Sequence, residues 1–472
     1  MTLYALLAAF ALGASMPADA APASATADAP ERTAQQRLAL DIFRELVEID
    51  TVTATGDTAA AADAMAARLL AAGFPPADVQ VFKPAPRKGN LVARLRGSGA
   101  RRPMMLLAHL DVVEARREDW SVDPFRLTER DGWFYGRGTT DDKFMAAAFV
   151  ANLIRYRQEG YRPARDLVVV LETDEETDAR FGLRWLLEHQ RAAIDAEFAL
   201  NEGGDIGLKD GRPLRATVQT SEKVYQSFRL EVTHPGGHSA LPTRDNAIYR
   251  LADGLARLAR FEFPLALDDT TRGFFARQAA FEAGPVAEDM RAVATRPPDE
   301  AAARRLSATP AYNAQLRTTC VATRLDAGHA DNALPQTAGA TVNCRILPGQ
   351  PVDTVRQALV QVLDDARIAV TPLAAAVESP PSPLDERVMQ PIERLVAEFW
   401  PGIPVVPVMS AGATDGRYLR NAGIATYGHS GLALDLVDVR AHGRDERVSV
   451  GSFFEGCEYL YRLVKALSSD AP

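Results

Sequence analysis

Three short, uninterrupted apolar runs, Met104–Leu107, Leu167–Leu171 and Phe198–Leu200, lead directly into clusters of His or carboxylate residues. A strand that is apolar on both faces must be covered on both, as strands of a parallel sheet between helix layers are. Segments with helical periodicity separate these runs. Leu38, Ile42, Leu46 and Ile49 recur three and four apart; Ala60–Ala72 is stopped by Gly73 and the Pro75-Pro76 pair; Ala146–Tyr156 and Phe181–His189 follow. This alternation predicts an α/β fold, a mostly parallel sheet with helices on both faces. In such a sheet, ligands bind in the crevice at the strands' C-terminal ends. That is where this chain concentrates its charge.

The 472 residues are too many for one ordinary domain. After Glu222 the pattern changes. Tyr225–Val232 alternates like a half-exposed strand, and Ala247–Leu258 is helical. Strands near Leu316–Thr323 and Ala338–Ile346, a helix near Val352–Leu363 and a strand near Ile368–Leu373 follow. The order β-α-β-β-α-β suggests an inserted α+β ferredoxin-like domain. A partly helical stretch, roughly Glu262–Gln315, interrupts it, and Pro380, Pro381 and Pro383 mark the return. The catalytic domain is therefore expected over 31–222 and 378–472, with a lid or dimerisation domain over 223–377.

Residues 1–20 read as a signal peptide, with an apolar run Leu3–Ala14 and small residues in Ala18-Asp19-Ala20; residues 21–30 read as a flexible mature terminus. The run is too short to span a bilayer, so the expected location is secreted or periplasmic. A net charge of −9 offers no basic footprint for nucleic acid. Three cysteines make no framework. In an exported chain Cys320 and Cys344, in expected strands flanking one loop, could pair; buried free thiols are the alternative.

The charged clusters carry the chemistry. His109-Leu110-Asp111 follows the first run; i and i+2 face the same way in extended chain, so Asp111 is placed to accept from one His109 nitrogen while the other binds a metal. Gly136-Arg137-Gly138-Thr139-Thr140-Asp141-Asp142-Lys143 forms a turn before a helix, where Asp142 also suits a cap. Thr173-Asp174-Glu175-Glu176 sets three repelling carboxylates at a buried strand's end, and a cation offsets that repulsion. Asn201-Glu202-Gly203-Gly204 and Ala441-His442-Gly443-Arg444-Asp445-Glu446 complete the set. Mixed His and carboxylate ligands suit zinc, with cobalt or manganese as substitutes.

Taken as a set, these motifs resemble the co-catalytic di-zinc hydrolases that include glutamate carboxypeptidase, acetylornithine deacetylase, succinyl-diaminopimelate desuccinylase, aminoacylase, carnosinase-type dipeptidases and yeast carboxypeptidase S. The resemblance runs from about Ala39 to Val464 and is nearest the carboxypeptidase S and N-acyl amino acid hydrolase branch, which usually carries Asp where this chain has Asn201. It implies that Asp141 bridges two zinc ions, that His109 and Glu202 complete one site, and that Glu176 and His442 complete the other. It implies Glu175 as general base, Asp111 as the orienter of His109 and His238 as oxyanion donor. Asn332 and Arg345 would hold a substrate carboxylate, with Thr414 and Arg417 in a substrate loop. Asp205 competes with Glu202 as the ligand, and His429 with His442. Two metals about 3.5–4 Å apart can share a hydroxide and polarise a carbonyl.

The expected activity is zinc-dependent hydrolysis of an amide next to a carboxylate, first as a carboxypeptidase or dipeptidase and alternatively as an N-acyl amino acid hydrolase. An inactive binding protein on the same fold and a single-metal hydrolase are the competing readings. A homodimer through the inserted domain and interdomain closure over substrate are further expectations.

Overall fold

A computed structural model describes residues 31–469; the expected signal peptide and flexible terminus lie outside them. The three apolar runs are neighbouring strands, Leu167–Glu172, Met104–His109 and Phe198–Asn201, at the centre of a ten-stranded sheet. They run parallel and in step: Met104 lies opposite both Leu167 and Phe198, and His109 lies opposite Glu172. The chain therefore leaves all three at one edge. Ala425–Gly428 continues the parallel centre beside Phe198–Asn201. Val79–Ala85 and Lys88–Leu95 add antiparallel strands on one side, while Arg212–Glu222 and Ile206–Lys209 lie on the other. Val405–Ser410 and Ala433–Asp435 join the latter pair in parallel.

Side chains alternate across the sheet. Met104, Leu106 and Ala108 enter one core with the helices Ala34–Glu48, Thr58–Ala71, Lys143–Gln158, Glu386–Phe399 and Val450–Ser468. Met105 and Leu107 enter the other, against Leu183 and Leu186 of Leu183–His189 and Leu419 of Gly416–Asn421. The fold is the α/β sandwich expected from the runs.

A separate antiparallel sheet has the strand order Thr319–Ala327, Thr337–Ile346, Val224–Thr233, Ile368–Pro372. Helices Ala247–Leu258 and Val352–Leu363 share its core. The helical stretch expected to interrupt this unit packs elsewhere. Asp269–Gln278, Gly284–Val293, Glu300–Leu306 and Pro310–Leu316 form their own cluster around Phe275, Met290 and Leu306, closed by Val406 of Val405–Ser410 in the large sheet. Four short helices cannot bury their apolar faces alone, and that strand supplies the missing surface. Cys320 and Cys344, opposite each other in register, form a disulfide, and Cys457 is a buried free thiol. No helix among the described residues is long and apolar enough to cross a membrane.

Candidate metal centre

His109 ends its strand, and its imidazole is almost fully buried. Nε2 lies 2.9 Å from Asp141 Oδ1 and 4.0 Å from Glu202 Oε2. On the far side of the same carboxylate, Asp141 Oδ2 lies 3.1 Å from His442 Nε2, which is also 3.1 Å from Glu176 Oε2. Asp141 thus divides its two oxygens between a His109–Glu202 half and a Glu176–His442 half. His109, Asp141 and Glu176 form one group whose donor atoms all lie within 4.8 Å of one another, near enough to share a metal ion, and His109, Glu175 and Glu202 form a second. Two ligands of a tetrahedral zinc lie roughly 3.3 Å apart, from bond lengths near 2.0–2.1 Å, so these spacings fit the ion.

The loops that carry these side chains are tied to one another. Glu446, fully buried, accepts from Gly138 N at 3.0 Å, Thr140 N at 2.8 Å, Thr140 Oγ1 at 2.9 Å and Asp141 N at 3.3 Å. It also pairs with Arg137 Nη1 at 2.7 Å, and Arg137 Nη2 donates to Gly443 O at 3.0 Å. One buried ion pair therefore joins the Asp141 turn to the His442 turn. Gly138 has φ +84°, and a Cβ there would meet Lys143 Cδ at 2.9 Å, so the turn needs glycine.

Asp111 acts differently from the sequence expectation. The chain leaves the strand after His109, so the i, i+2 rule no longer applies at Asp111. His109 Nδ1 lies 2.9 Å from the Asp111 main-chain oxygen, while the nearer carboxylate oxygen is 3.8 Å away. The carboxylate instead accepts from Glu175 N and Glu176 N, each at 3.2 Å, and from Thr53 Oγ1 at 3.1 Å. It fixes the Glu175–Glu176 turn.

The electrostatics are those of a cation site. Burial first, then neighbouring carboxylates, pushes Glu175 and Glu202 well above the ordinary carboxylate range. Burial opposes ionisation of Asp141 too, but hydrogen bonds from His109 and His442 hold its carboxyl well down. Asp141 and Glu176 raise His442 to about 10. Burial works against a charged His109, yet Asp141, Glu202 and Glu175 outweigh it. Glu176 Oε1 is buried with no hydrogen-bond partner among the described residues. Four carboxylates facing two imidazoles are short of positive charge, and divalent cations match both the deficit and the donor set.

A cavity of about 260 Å³ opens on this cluster, lined by Asp141, Glu175, Glu202, Thr414, Arg417 and His442 among others. Arg417 Nη2 donates to Tyr418 Oη at 3.2 Å, and its buried Nε has no partner among the described residues. Arg345 donates to Ala411 O at 2.8 Å and lies over the Tyr225 ring. His238 and Asn332 meet at an exposed two-stranded ribbon, Gly237–His238 against Ala333–Leu334, where Ser239 N donates to Asn332 O at 3.1 Å, and neither lines the cavity. Asp205 turns away to Thr217 Oγ1 at 3.2 Å, which leaves Glu202 as the acid in the cluster. Asp142 heads its helix without a side-chain capping bond. Glu446 stood in the sequence only as context for His442, and Arg137 as part of a Gly-rich turn. Their spacing of more than 300 residues carried no local signal of their pairing.

His429 is wholly enclosed, 2.8 Å from Thr217 O and 2.7 Å from Tyr459 Oη, and is not part of the cluster. Burial lowers its pKa to about 4. The folded value lies below the unfolded value of about 6.5, so this contribution to stability is complete above that pH and declines as pH falls towards 4. Between pH 7 and pH 5 the loss from this one group is about 2 kcal/mol. The unfolding free energy of His429→Gln should therefore vary less with pH over that range than the wild type's, as denaturant titrations would read.

Residues 105–466 match the model of the family described as Peptidase family M20/M25/M40. The human N-fatty-acyl-amino acid synthase/hydrolase PM20D1 is 30% identical over 377 residues, covering 78% of this chain and 74% of that protein. Aminoacylase-1 of Pongo abelii is 25% identical over 454 residues, covering 94% and 98%. Among solved structures, the M20 family metallo-carboxypeptidase Sso-CP2 of Sulfolobus solfataricus superposes with a TM-score of 0.63 at 17% identity, covering 91% of this chain and 99% of that one. The Bacillus subtilis YXEP protein, described as a dinuclear metal binding peptidase, gives 0.58 at 13%, covering 92% and 98%. With a His and carboxylate centre at the ends of its parallel strands and a family match over most of its length, this chain is a hydrolase belonging to peptidase family M20/M25/M40.

Proposed function

We propose that the chain hydrolyses an amide bond next to a free carboxylate, using two divalent cations, zinc by donor chemistry. His109 and Glu202 would hold one, Glu176 and His442 the other, with Asp141 shared. The observation that most supports this is the Asp141 carboxylate, whose two oxygens each face a separate His and carboxylate pair. Cations bound there would polarise the scissile carbonyl and make a water molecule more acidic.

The remaining roles fall to the chain's own residues. Glu175 lies among His109 and Glu202, and its burial raises its proton affinity above that of an ordinary carboxylate, as suits a base. It takes the attacking water's proton and delivers it to the leaving nitrogen. Arg417, whose Nε has no partner among the described residues, offers a seat for the substrate carboxylate on the cavity wall that Thr414 shares. His238, Asn332 and Arg345 reach substrate once the inserted sheet closes over the cavity, or from the second subunit of a homodimer.

Within this class we place an N-acyl amino acid first and a dipeptide or peptide C-terminus second. A further cavity of about 220 Å³ shares Asp141 and Glu202 with the first; Leu432, Leu434 and Val439 give it an apolar side, and Asp142, Asp205, Asp438, Arg440 and Arg447 also line it. A substrate whose amide lies over Asp141 can rest its carboxylate at Arg417 and an apolar acyl group there. The similarity to an N-fatty-acyl-amino acid hydrolase and to an aminoacylase supports the same order. The Cys320–Cys344 disulfide and the apolar N-terminal run support a secreted or periplasmic location.

The test is metal content and turnover together. About two zinc ions per chain are expected, with loss of turnover on chelation and recovery on adding zinc. N-acyl amino acids should outperform dipeptides. Dipeptide turnover alone would keep the centre and reverse the substrate order. A chain that binds no zinc, or is active without it, would overturn the proposal.

A further inference from the structure

The substrate loop and the two covalent joints of the inserted sheet meet on one buried carboxylate that the hydrolytic reading does not use. Glu222 ends the strand Arg212–Glu222, and after the single residue Lys223 the chain enters the inserted sheet at Val224. Its carboxylate is 2% exposed. Oε2 accepts from Thr414 N at 2.6 Å and Thr414 Oγ1 at 3.1 Å. Oε1 accepts from Arg420 Nη2 at 2.5 Å. The same Arg420 nitrogen lies 3.4 Å from Ser379 Oγ, and Asn421 Nδ2 donates to Glu378 O at 2.5 Å. Glu378 and Ser379 belong to the chain returning from the inserted sheet, and Lys223 N donates to Ser410 O at 2.9 Å at the head of the substrate loop.

We propose that Glu222 is a positioning residue for the substrate's carboxylate end, coupling the inserted sheet's placement to the Thr414–Arg417 wall of the cavity. This rests on the reading of that wall as the carboxylate seat. The carboxylate grips the loop through both the amide and the hydroxyl of Thr414, and Arg420 anchors that grip to the return joint. Movement of either joint is therefore felt at Thr414, three residues from the guanidinium of Arg417. A charged acceptor with three donors in a dry setting holds geometry more tightly than neutral contacts do.

Glu222→Gln separates this role from a general structural one. Glutamine offers one acceptor oxygen and one NH2, so it cannot accept from both Thr414 N and Arg420. With the metal-loaded enzyme, KM for an N-acyl amino acid should rise about tenfold, with kcat changed by less than about threefold, the signature of lost substrate binding. KM for the matching carboxamide, which lacks the charge, should stay as in wild type, and Glu222→Asp should recover part of the loss. If Glu222→Gln does not fold, Arg420→Gln, which removes the cation that anchors Oε1 to the return joint, carries the same KM prediction. A fall in kcat on both substrates with KM unchanged would overturn the proposal. A wild type that prefers the carboxylate and a variant that keeps the full preference would overturn the proposal alone. A wild type indifferent to the carboxamide would overturn the carboxylate reading and, with it, this role.

Discussion

Glu175→Gln should lower turnover by roughly 100- to 10 000-fold, the usual contribution of a positioned acid–base group, while the protein keeps its fold and its metal. The two side chains have nearly the same shape, and the Glu175 amide that donates to Asp111 is unaffected. What disappears is a carboxylate able to carry a proton from water to the leaving nitrogen. The residue has a second possible use, because its donor atom also converges with those of His109 and Glu202. Metal analysis of the variant decides between them. A base that is not a ligand leaves two ions bound and turnover lost. Loss of one ion per chain would make Glu175 a ligand and move the base elsewhere. Retained turnover with both ions would remove it from the mechanism.

Much of this cluster was legible in the sequence because several of its side chains sit where strands end. A both-faces-buried strand announces itself as an apolar run, and parallel strands in step must deliver the residues after them to one edge. That argument brings His109, the Asp174–Glu176 run and the Glu202 loop to one edge; the choice of Glu176 within its run, and of Glu202 over Asp205, came from the resemblance. Asp141 and His442 could not be brought there by it: they stand on turns, with His442 at φ +61°, and only their place in a known set of motifs singled them out. The ferredoxin-like order also showed through, since each strand and helix there has its own periodicity. The helices between 269 and 316 were legible as a partly helical interruption but their packing was not, because amphipathic faces do not say which surface will cover them, and Val406 lies about 90 residues beyond the last of them. The Asp111 expectation failed for a local reason. Period-two geometry was extended past the strand's last residue, where the main-chain oxygen took the contact assigned to the side chain. Glu222 and Glu446 were not legible because each is defined by donors from distant turns.

Glu446→Ala tests the other half of the design, the frame that holds the ligands. The substitution removes the acceptor for three backbone amides and one hydroxyl, and it strands the Arg137 guanidinium, which is 2% exposed. Breaking a buried pair from one side costs about 3–5 kcal/mol, mostly from the charge left behind. A clear fall in thermal stability is therefore expected. The functional loss should be separable from it. Asp141 N is one of the freed donors and Gly443 O is held by Arg137, so both ligand-bearing turns loosen together. Metal affinity should fall about 10- to 100-fold, as when groups that orient ligands are removed, even at temperatures where the variant is fully folded. Combining it with Arg137→Met, which removes the stranded charge, should recover part of the stability but little of the metal affinity. The amides of Gly138, Thr140 and Asp141 would still lack their acceptor, and neither change restores it. A folded Glu446→Ala variant with wild-type metal affinity and turnover would show that the Asp141 turn holds its shape without this carboxylate, leaving the pair a role in stability alone.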